Sequence, residues 1–278
     1  MVNIRKWDGT LEPFDRGKVI RTCHHLKLSQ REAEDVADEI EKKLYEGIPS
    51  KSLMDMILEF GKIHRSQLGH IIDLREALAA MRSKPDFEQF VALLLQDAGY
   101  KTVTNQVLYG KCVDHEVDVI AIKGSEILYV EVKHHAQFHT FTGLDTFLEV
   151  RSAFEDLKEG YLAGNHGYNF TRPMLVLNTK ISDHARRYAS CKGIAAIGWA
   201  MPQHAGIESM VHDRGMYPVT IFKGVEPSIF TKLGDMGIFT VKQLAQSDIR
   251  ELARKGNINI DTLSYVVEKS RDMVNTKA

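Results

Sequence analysis

The sequence predicts a multi-domain α/β protein: a mostly helical N-terminal region, a central mixed sheet flanked by helices, and a small helical C-terminal region. Three observations predict it. At 278 residues the chain is longer than one ordinary small domain. Residues 85–210 switch repeatedly between strand-like and helix-like periodicity, the signature of an α/β layer structure. The flanking stretches are largely helical, and Ser83-Lys84-Pro85 breaks the first from the middle. The expected domains are therefore 1–84, 85–210 and 211–278.

Each element follows from local pattern. Short strands at 2–6 and 10–13 join at the turn-forming Asp8-Gly9. Asp15 stands at the N-cap of a helix running through Leu26, and Ser29 with Glu32 makes a capping box for the next. In that second helix Ala33, Val36, Ala37, Ile40 and Leu44 keep the stripe of a core face. Ser50 is expected to cap a third helix, and a fourth is expected over 64–81. The middle region reads as a helix over 86–98, strands at 101–109, 115–122 and 126–132, and a long helix over 142–159. A strand at 174–178, a helix over 182–190 and a strand at 193–199 complete a mixed sheet. The last region holds short helices separated by Gly224, Gly234, Gly237 and Gly256.

Composition narrows the function classes. Hydrophobic residues at 44% and charged residues at 26% describe a soluble globular chain and exclude disorder. No apolar run approaches the ~20 residues of a membrane helix, and the start Met-Val-Asn-Ile-Arg does not read as a signal peptide. Cys23, Cys112 and Cys191 form no CxxC pair, which argues against a disulfide framework or cysteine zinc site and fits a reducing cytoplasm. A net charge of −1 argues on average against a nucleic-acid partner. By region, however, basic and acidic residues number 15 and 14, 11 and 15, and 10 and 8, so the acidity is concentrated in the middle.

The sharpest signal there is the strand Ile127-Leu128-Tyr129-Val130-Glu131-Val132-Lys133. Side chains alternate along a strand, so Glu131 and Lys133 share one face, and charge on an apolar strand is costly to bury without a partner or a task. Asp118 lies in a second apolar strand, Val117-Asp118-Val119-Ile120-Ala121, expected to pair with the first. Glu88 sits beside the apolar stripe Phe87, Val91 and Leu94 of the preceding helix. Asp118 and Glu131, with the Val132 carbonyl, make a hard oxygen set suited to Mg²⁺ or Mn²⁺. Lys133 beside them suits orientation of an attacking water or stabilisation of a phosphate. The plainer reading is a salt-bridged Glu131–Lys133 pair on an edge strand.

This arrangement resembles the PD-(D/E)XK nucleases, and within them the Mrr-like restriction endonucleases. The resemblance covers about residues 85–200 and includes Phe87-Glu88 through Gly99-Tyr100, Leu177-Asn178-Thr179-Lys180, and Gly193-Ile194 with Gly198-Trp199. It implies Glu88, Asp118, Glu131 and Lys133 as catalytic residues and Asp118, Glu131 and Val132 as metal ligands. It departs at Asp114-His115-Glu116-Val117, where the family usually has a glycine before the Asp strand.

The N-terminal region carries its own pattern. Its hairpin places Lys6 near the helix that bears Lys18 in its first turn, and two lysines beside free helix N–H groups suit a polyphosphate. The run Ile4-Arg5-Lys6-Trp7-Asp8-Gly9 with Glu12, Phe14-Asp15, Lys18-Val19 and Gly47-Ile48-Pro49-Ser50 resembles the ATP-cone nucleotide-sensing domain. The resemblance implies nucleotide binding through Ile4, Lys6, Glu12, Asp15, Lys18 and Ser50, with Trp7 standing where Arg is usual. Residues 225–244 look like a helix-hairpin-helix unit, but Glu226 stands where a phosphate-contacting glycine is expected, so protein contact is as good a reading as DNA contact. His134 and His135 point to opposite faces if the strand continues, so zinc is disfavoured.

The expected whole is a cytoplasmic homo-oligomer that hydrolyses double-stranded DNA with Mg²⁺ or Mn²⁺, under control of bound ATP or dATP and without a membrane. Its rival is a nucleotide-responsive DNA-binding or assembly protein with a silent nuclease fold.

Overall fold

The structure, a computed structural model, describes residues 2–275 and divides the chain into two compact units. One comprises Met1–Ala77 with Tyr217–Ala278, and the other Leu78–Met216. The fold class is the mixed α/β arrangement read from the sequence. Among the described residues, no helix is long and apolar enough to cross a membrane.

The first unit begins with β1 (Asn3–Arg5), β2 (Leu11–Pro13), α1 (Arg16–His25) and α2 (Gln30–Glu41), followed by β3 (Ile48–Pro49) and α3 (Ser50–Gly61). β1 is central, antiparallel to β2 and parallel to β3. Asp15 caps α1 and the Ser29–Glu32 capping box opens α2, as the sequence predicts. Ser50 does not cap: it is the first residue of α3, whose N-cap is Pro49. The helix expected over 64–81 is instead a 3₁₀ turn at Ser66–His70, an extended Ile71, and α4 (Leu74–Ala79). The cause is long-range: Ile71 bridges Phe222, and the Ile72 N–H donates to Ile221 O at 2.9 Å, which takes that backbone out of a helical ladder.

The second unit runs α5 (Glu88–Asp97), β4 (Lys101–Tyr109), β5 (Asp114–Lys123), β6 (Glu126–Lys133) and β7 (Phe141–Thr142). It continues with α6 (Leu144–Leu162), β8 (Arg172–Leu177), β9 (Lys180–Ile181), α7 (Asp183–Lys192), β10 (Ala195–Ile197) and α8 (Ile207–Arg214). The chain returns to the first unit for α9 (Pro227–Asp235), α10 (Val241–Gln246), α11 (Ile249–Gly256) and α12 (Ile260–Asn275). Glu226 is the N-cap residue of α9, and a Thr240–Gln243 capping box opens α10.

The five-stranded sheet of the second unit has the order β10-β8-β6-β5-β4. β4, β5 and β6 form an antiparallel meander, whereas β6, β8 and β10 are parallel, joined through α6 and α7. The Glu131–Lys133 strand, β6, is therefore central rather than an edge. On one face Ile120, Tyr129, Leu175 and Leu177 bury Phe147, Val150, Phe154 and Leu157 of α6. The alternate residues Val119, Ala121, Leu128 and Val130 are buried on the other face, the side where α5 packs against β4 and β5. Burial on both faces explains why these strands read as nearly continuous apolar runs.

α6 also anchors the β4–β5 turn. Asp156 accepts hydrogen bonds from the N–H groups of Cys112 (2.9 Å) and Val113 (3.3 Å) and pairs with His115 Nε2 at 2.8 Å. Burial, the largest single influence, raises the Asp156 carboxyl, but His115 and the N–H groups of Cys112 and Val113 together outweigh it and pull it down to about 2. One turn later the helix passes so close that a Cβ on Gly160 would lie 2.6 Å from Tyr109 O and 2.7 Å from Gly110 backbone. Gly160→Ala adds helix propensity of ~1 kcal/mol but creates a backbone clash costing about 1–3 kcal/mol. The clash should win, so denaturant unfolding should show a net loss of up to about 2 kcal/mol for Gly160→Ala.

Candidate active site

The site forms where β5 and β6 part. Their pairing runs from Lys123↔Glu126 to Val119↔Val130 and stops, which leaves Asp118 and Glu131 just beyond the last pair. Asp118, only 3% exposed, accepts a hydrogen bond from the Val132 N–H at Oδ2 (2.8 Å). Its other oxygen, Oδ1, lies 3.3 Å from Lys84 Nζ. Glu131 Oε2 accepts from the Tyr129 hydroxyl at 2.9 Å, and Oε1 pairs with Lys133 Nζ at 2.8 Å. The alternation of the strand produces this triad, because residues 129, 131 and 133 share one face.

Glu88 enters from the first turn of α5 and is 2% exposed. Its Oε1 lies 3.2 Å from Lys84 Nζ, and Glu116 Oε1 lies 3.0 Å from the same ammonium. The turn that carries Lys84 is fixed by a two-pronged contact of Arg82 with Asp86, at 2.8 and 2.7 Å. Five charged side chains thus gather around Asp118 at one end of the sheet: Lys84, Glu88, Glu116, Glu131 and Lys133.

Electrostatics follow from burial and crowding. Burial first, and then the charge of Asp118, push Glu88 up to about 7. Burial and then Glu131 raise Asp118 above the usual carboxylate range, although the Val132 N–H and Lys84 pull the other way. Burial works against the Lys84 ammonium, but Glu116, Asp118 and Glu88 outweigh it and hold Lys84 above the ordinary lysine value. The same contest, won by Glu131, raises Lys133. Mutually repelling carboxylates that meet at an apolar sheet end are what a hard divalent cation relieves, so Asp118, Glu131 and the Val132 carbonyl fit Mg²⁺ or Mn²⁺ by donor chemistry.

Residues 79–198 match the Mrr catalytic family, described as restriction endonuclease. An uncharacterized protein of Archaeoglobus fulgidus is 32% identical over 166 residues, covering 60% of this chain and 90% of its own. The chain belongs to the restriction endonuclease family. A second uncharacterized protein of the same organism is 45% identical over 42 residues, or 15% of this chain and 89% of its own. The crystal structure of a protein of unknown function superposes with a TM-score of 0.59 at 28% identity, covering 68% of this chain and 97% of that one. Membership of this family carries a nuclease-type function, and DNA is the substrate class it implies.

The restriction endonuclease domain thus brings together the four side chains singled out from the sequence, Glu88, Asp118, Glu131 and Lys133. Sequence reasoning missed two others that touch them, Lys84 and Tyr129; Glu116, noted only as part of the departure before Asp118, is a partner of Lys84. The available signal for Lys84 was its place four residues before Glu88, at the entry to the helix that carries that acid. Tyr129 had a signal too, at the same two-residue spacing that links Glu131 to Lys133.

Beyond Lys133 the strand ends, and the two histidines take separate partners. His134 Nε2 lies 3.0 Å from Leu78 O, and His135 Nε2 lies 3.3 Å from Thr142 Oγ1. Burial lowers the pKa of both. Asn178 ties the His135 backbone from both sides, at 2.9 and 2.8 Å, and so links the exit of β6 to the end of β8. On α6 and α7, Arg151 and Arg186 pair with Glu155 and Asp183.

In the first unit, Lys6 Nζ and Lys18 Nζ each lie 2.7 Å from Glu12 Oε1. Lys18, then Lys6, hold the Glu12 carboxyl below its usual value. Asp15 Oδ1 accepts the Lys18 N–H at 3.2 Å, so the helix N–H expected to be free is taken by a cap. Ile4 is buried in β1 between Glu12 and Ile48. Ser50 follows β3 as Lys6 follows β1, since Pro49 pairs with Arg5 in the parallel register.

The raised Glu88 gives the restriction endonuclease domain a pH signature. A carboxyl lifted from 4.5 to about 7 binds its proton more tightly when folded, so its contribution to stability is full below pH 4.5 and is lost as pH rises through about 7. Glu88→Gln removes that proton exchange. Thermal melts across this window should decline less steeply with pH for Glu88→Gln than for wild type; parallel curves would refute the assignment.

Proposed function

We propose that the central domain is a divalent-metal-dependent endodeoxyribonuclease that hydrolyses phosphodiester bonds in double-stranded DNA. The observation that supports this most directly is the convergence of Glu88, Asp118, Glu131 and Lys133 where β5 and β6 part. Asp118, Glu131 and the Val132 carbonyl hold Mg²⁺ or Mn²⁺. When bound, the ion supplies Lewis-acid polarisation of the phosphate and offsets the charge that builds up during in-line displacement. Lys133, anchored by Glu131, orients the attacking water and places an ammonium against the phosphoryl oxygens. Tyr129 fixes the opposite oxygen of Glu131 and so limits the carboxylate's rotation. Glu88, with a pKa of about 7, exchanges a proton near neutral pH and supports the ligand set from the helix side.

Plasmid cleavage in Mg²⁺ or Mn²⁺ tests this reading. Asp118→Ala and Lys133→Ala should each lose at least ~10²-fold in rate, the scale of removing one acid–base or electrostatic group. Equal activity in the three proteins would overturn the catalytic assignment and favour a DNA-binding role on the same fold.

Residues 1–84 are proposed as an ATP-cone-like regulatory domain that binds ATP or dATP, beside the nuclease domain at 85–210 and a helical tail at 211–278. The supporting observation is that Lys6 and Lys18 converge on one carboxylate oxygen. Two ammonium groups so close together match the charge density of a polyphosphate, which would exchange with Glu12. Lys18→Ala should weaken ATP binding about tenfold by calorimetry, the worth of one charge-assisted contact. An unchanged Kd would remove Lys18 from the site.

A further inference from the structure

The ammonium of Lys84 stands where a cation is most needed in the acidic pocket. It lies 3.0 Å from Glu116 Oε1, 3.2 Å from Glu88 Oε1 and 3.3 Å from Asp118 Oδ1, so one side chain bridges three carboxylates from two different elements. Two of these carboxylates are almost wholly buried, whereas the Lys84 side chain is 52% exposed. Its backbone is not helical (φ −124°, ψ 137°), and the turn around it is pinned by Arg82 and Asp86. The anchor is therefore fixed, and a solvent-exposed side chain with four rotatable bonds carries the charge. An ammonium on an exposed stem can leave the pocket without repacking the core, which a buried one cannot.

The oxygen it holds is the one a metal needs. Asp118 Oδ2 is committed to the Val132 N–H, so Oδ1 is the atom left for a ligand, and that atom faces Lys84. An ammonium and a divalent ion on the same oxygen repel each other, and a carboxylate oxygen at hydrogen-bond distance from one is poorly available to the other.

We propose that Lys84 is an exchangeable counter-cation of this pocket: it neutralises Glu88, Glu116 and Asp118 when no divalent ion is bound, and must release Asp118 for the ion to bind. Lys84 thereby acts as a positioning residue that sets the metal concentration at which the site loads. This rests on the reading of Asp118 and Glu131 as divalent-ion ligands.

Mn²⁺ binding to the full-length protein, followed by calorimetry and by electron paramagnetic resonance, separates the two claims. Wild type, Lys84→Met, Lys84→Arg and Asp118→Ala are compared, each also melted in EDTA and in Mn²⁺. The proposal expects Lys84→Met to bind Mn²⁺ about tenfold more tightly than wild type, because no ammonium has to be displaced. Lys84→Met should also melt lower than wild type in EDTA and gain more from added Mn²⁺, as linkage requires of a site that binds only the folded state. Lys84→Arg, which keeps the charge, should stay near wild type in both measurements. Binding to Lys84→Met that is equal to or weaker than wild type, with Asp118→Ala reduced, would overturn the counter-cation role and leave the metal site standing. Mn²⁺ binding that is absent from wild type, or unaffected by Asp118→Ala, would overturn the metal reading and this proposal with it.

Discussion

Asp118 is the residue on which the rest of the site depends, because its two oxygens are held by unlike partners. A buried carboxylate without partners costs several kcal/mol. Here a backbone N–H takes one oxygen and an ammonium meets the other. The Val132 N–H that serves Asp118 belongs to the strand residue between Glu131 and Lys133, so this hydrogen bond also sets the distance between the two acids. Burial raises both Asp118 and Glu88, and their neighbours add to it: Glu131 raises Asp118, and Asp118 in turn raises Glu88. The perturbed titration of the pocket is the joint consequence of burial and of one carboxylate held at a strand fork.

The fold supplies what that arrangement requires. Glu88 lies in the first turn of α5, where the helix dipole favours a negative charge and offsets part of its burial. β6 is central, with β5 antiparallel on one side and β8 parallel on the other, so Glu131 is carried on a strand that is paired along its length. Both faces of the sheet are apolar and covered, and each fully buried large side chain there contributes about 1.5–3 kcal/mol. A layer of this kind tolerates a cluster of acids at its end because the cluster's cost is small beside the burial of the layer.

Legibility in the sequence follows the range of each interaction. The two-residue strand period showed that Glu131 and Lys133 share a face, and the structure pairs them at 2.8 Å. The mixed sheet was legible because hairpin turns and the strand–helix alternation are local features. Position within the sheet was not: nothing local distinguishes a central β6 from an edge strand, since its neighbour β8 arrives about forty residues later. The same limit explains the expected helix over 64–81, where pairing of Ile71 and Ile72 with residues near 221 overrides a helical pattern. Lys84 was hidden differently. Pro85 marks a break so strongly that the residue before it reads as punctuation, although its side chain reaches three carboxylates.

The two sites read from this sequence share a physical logic. In each, the lysine chemistry suited to a ligand is already engaged by the protein's own acids: Lys6 and Lys18 by Glu12, Lys84 by Glu88, Glu116 and Asp118. Binding at such a site is an exchange, in which the ligand gains only the difference between its own contacts and those it breaks. Under the proposed function, a singly charged ligand gains little from displacing a carboxylate of equal charge, whereas a polyphosphate or a divalent ion gains more. Pre-paired charges therefore lower affinity and raise discrimination by charge density. Under the same reading, a chain of net charge −1 is compatible with a polyanionic substrate: four of the middle region's acids, Glu88, Glu116, Asp118 and Glu131, gather at the proposed cation site, and a bound divalent ion would offset their charge where the phosphate arrives.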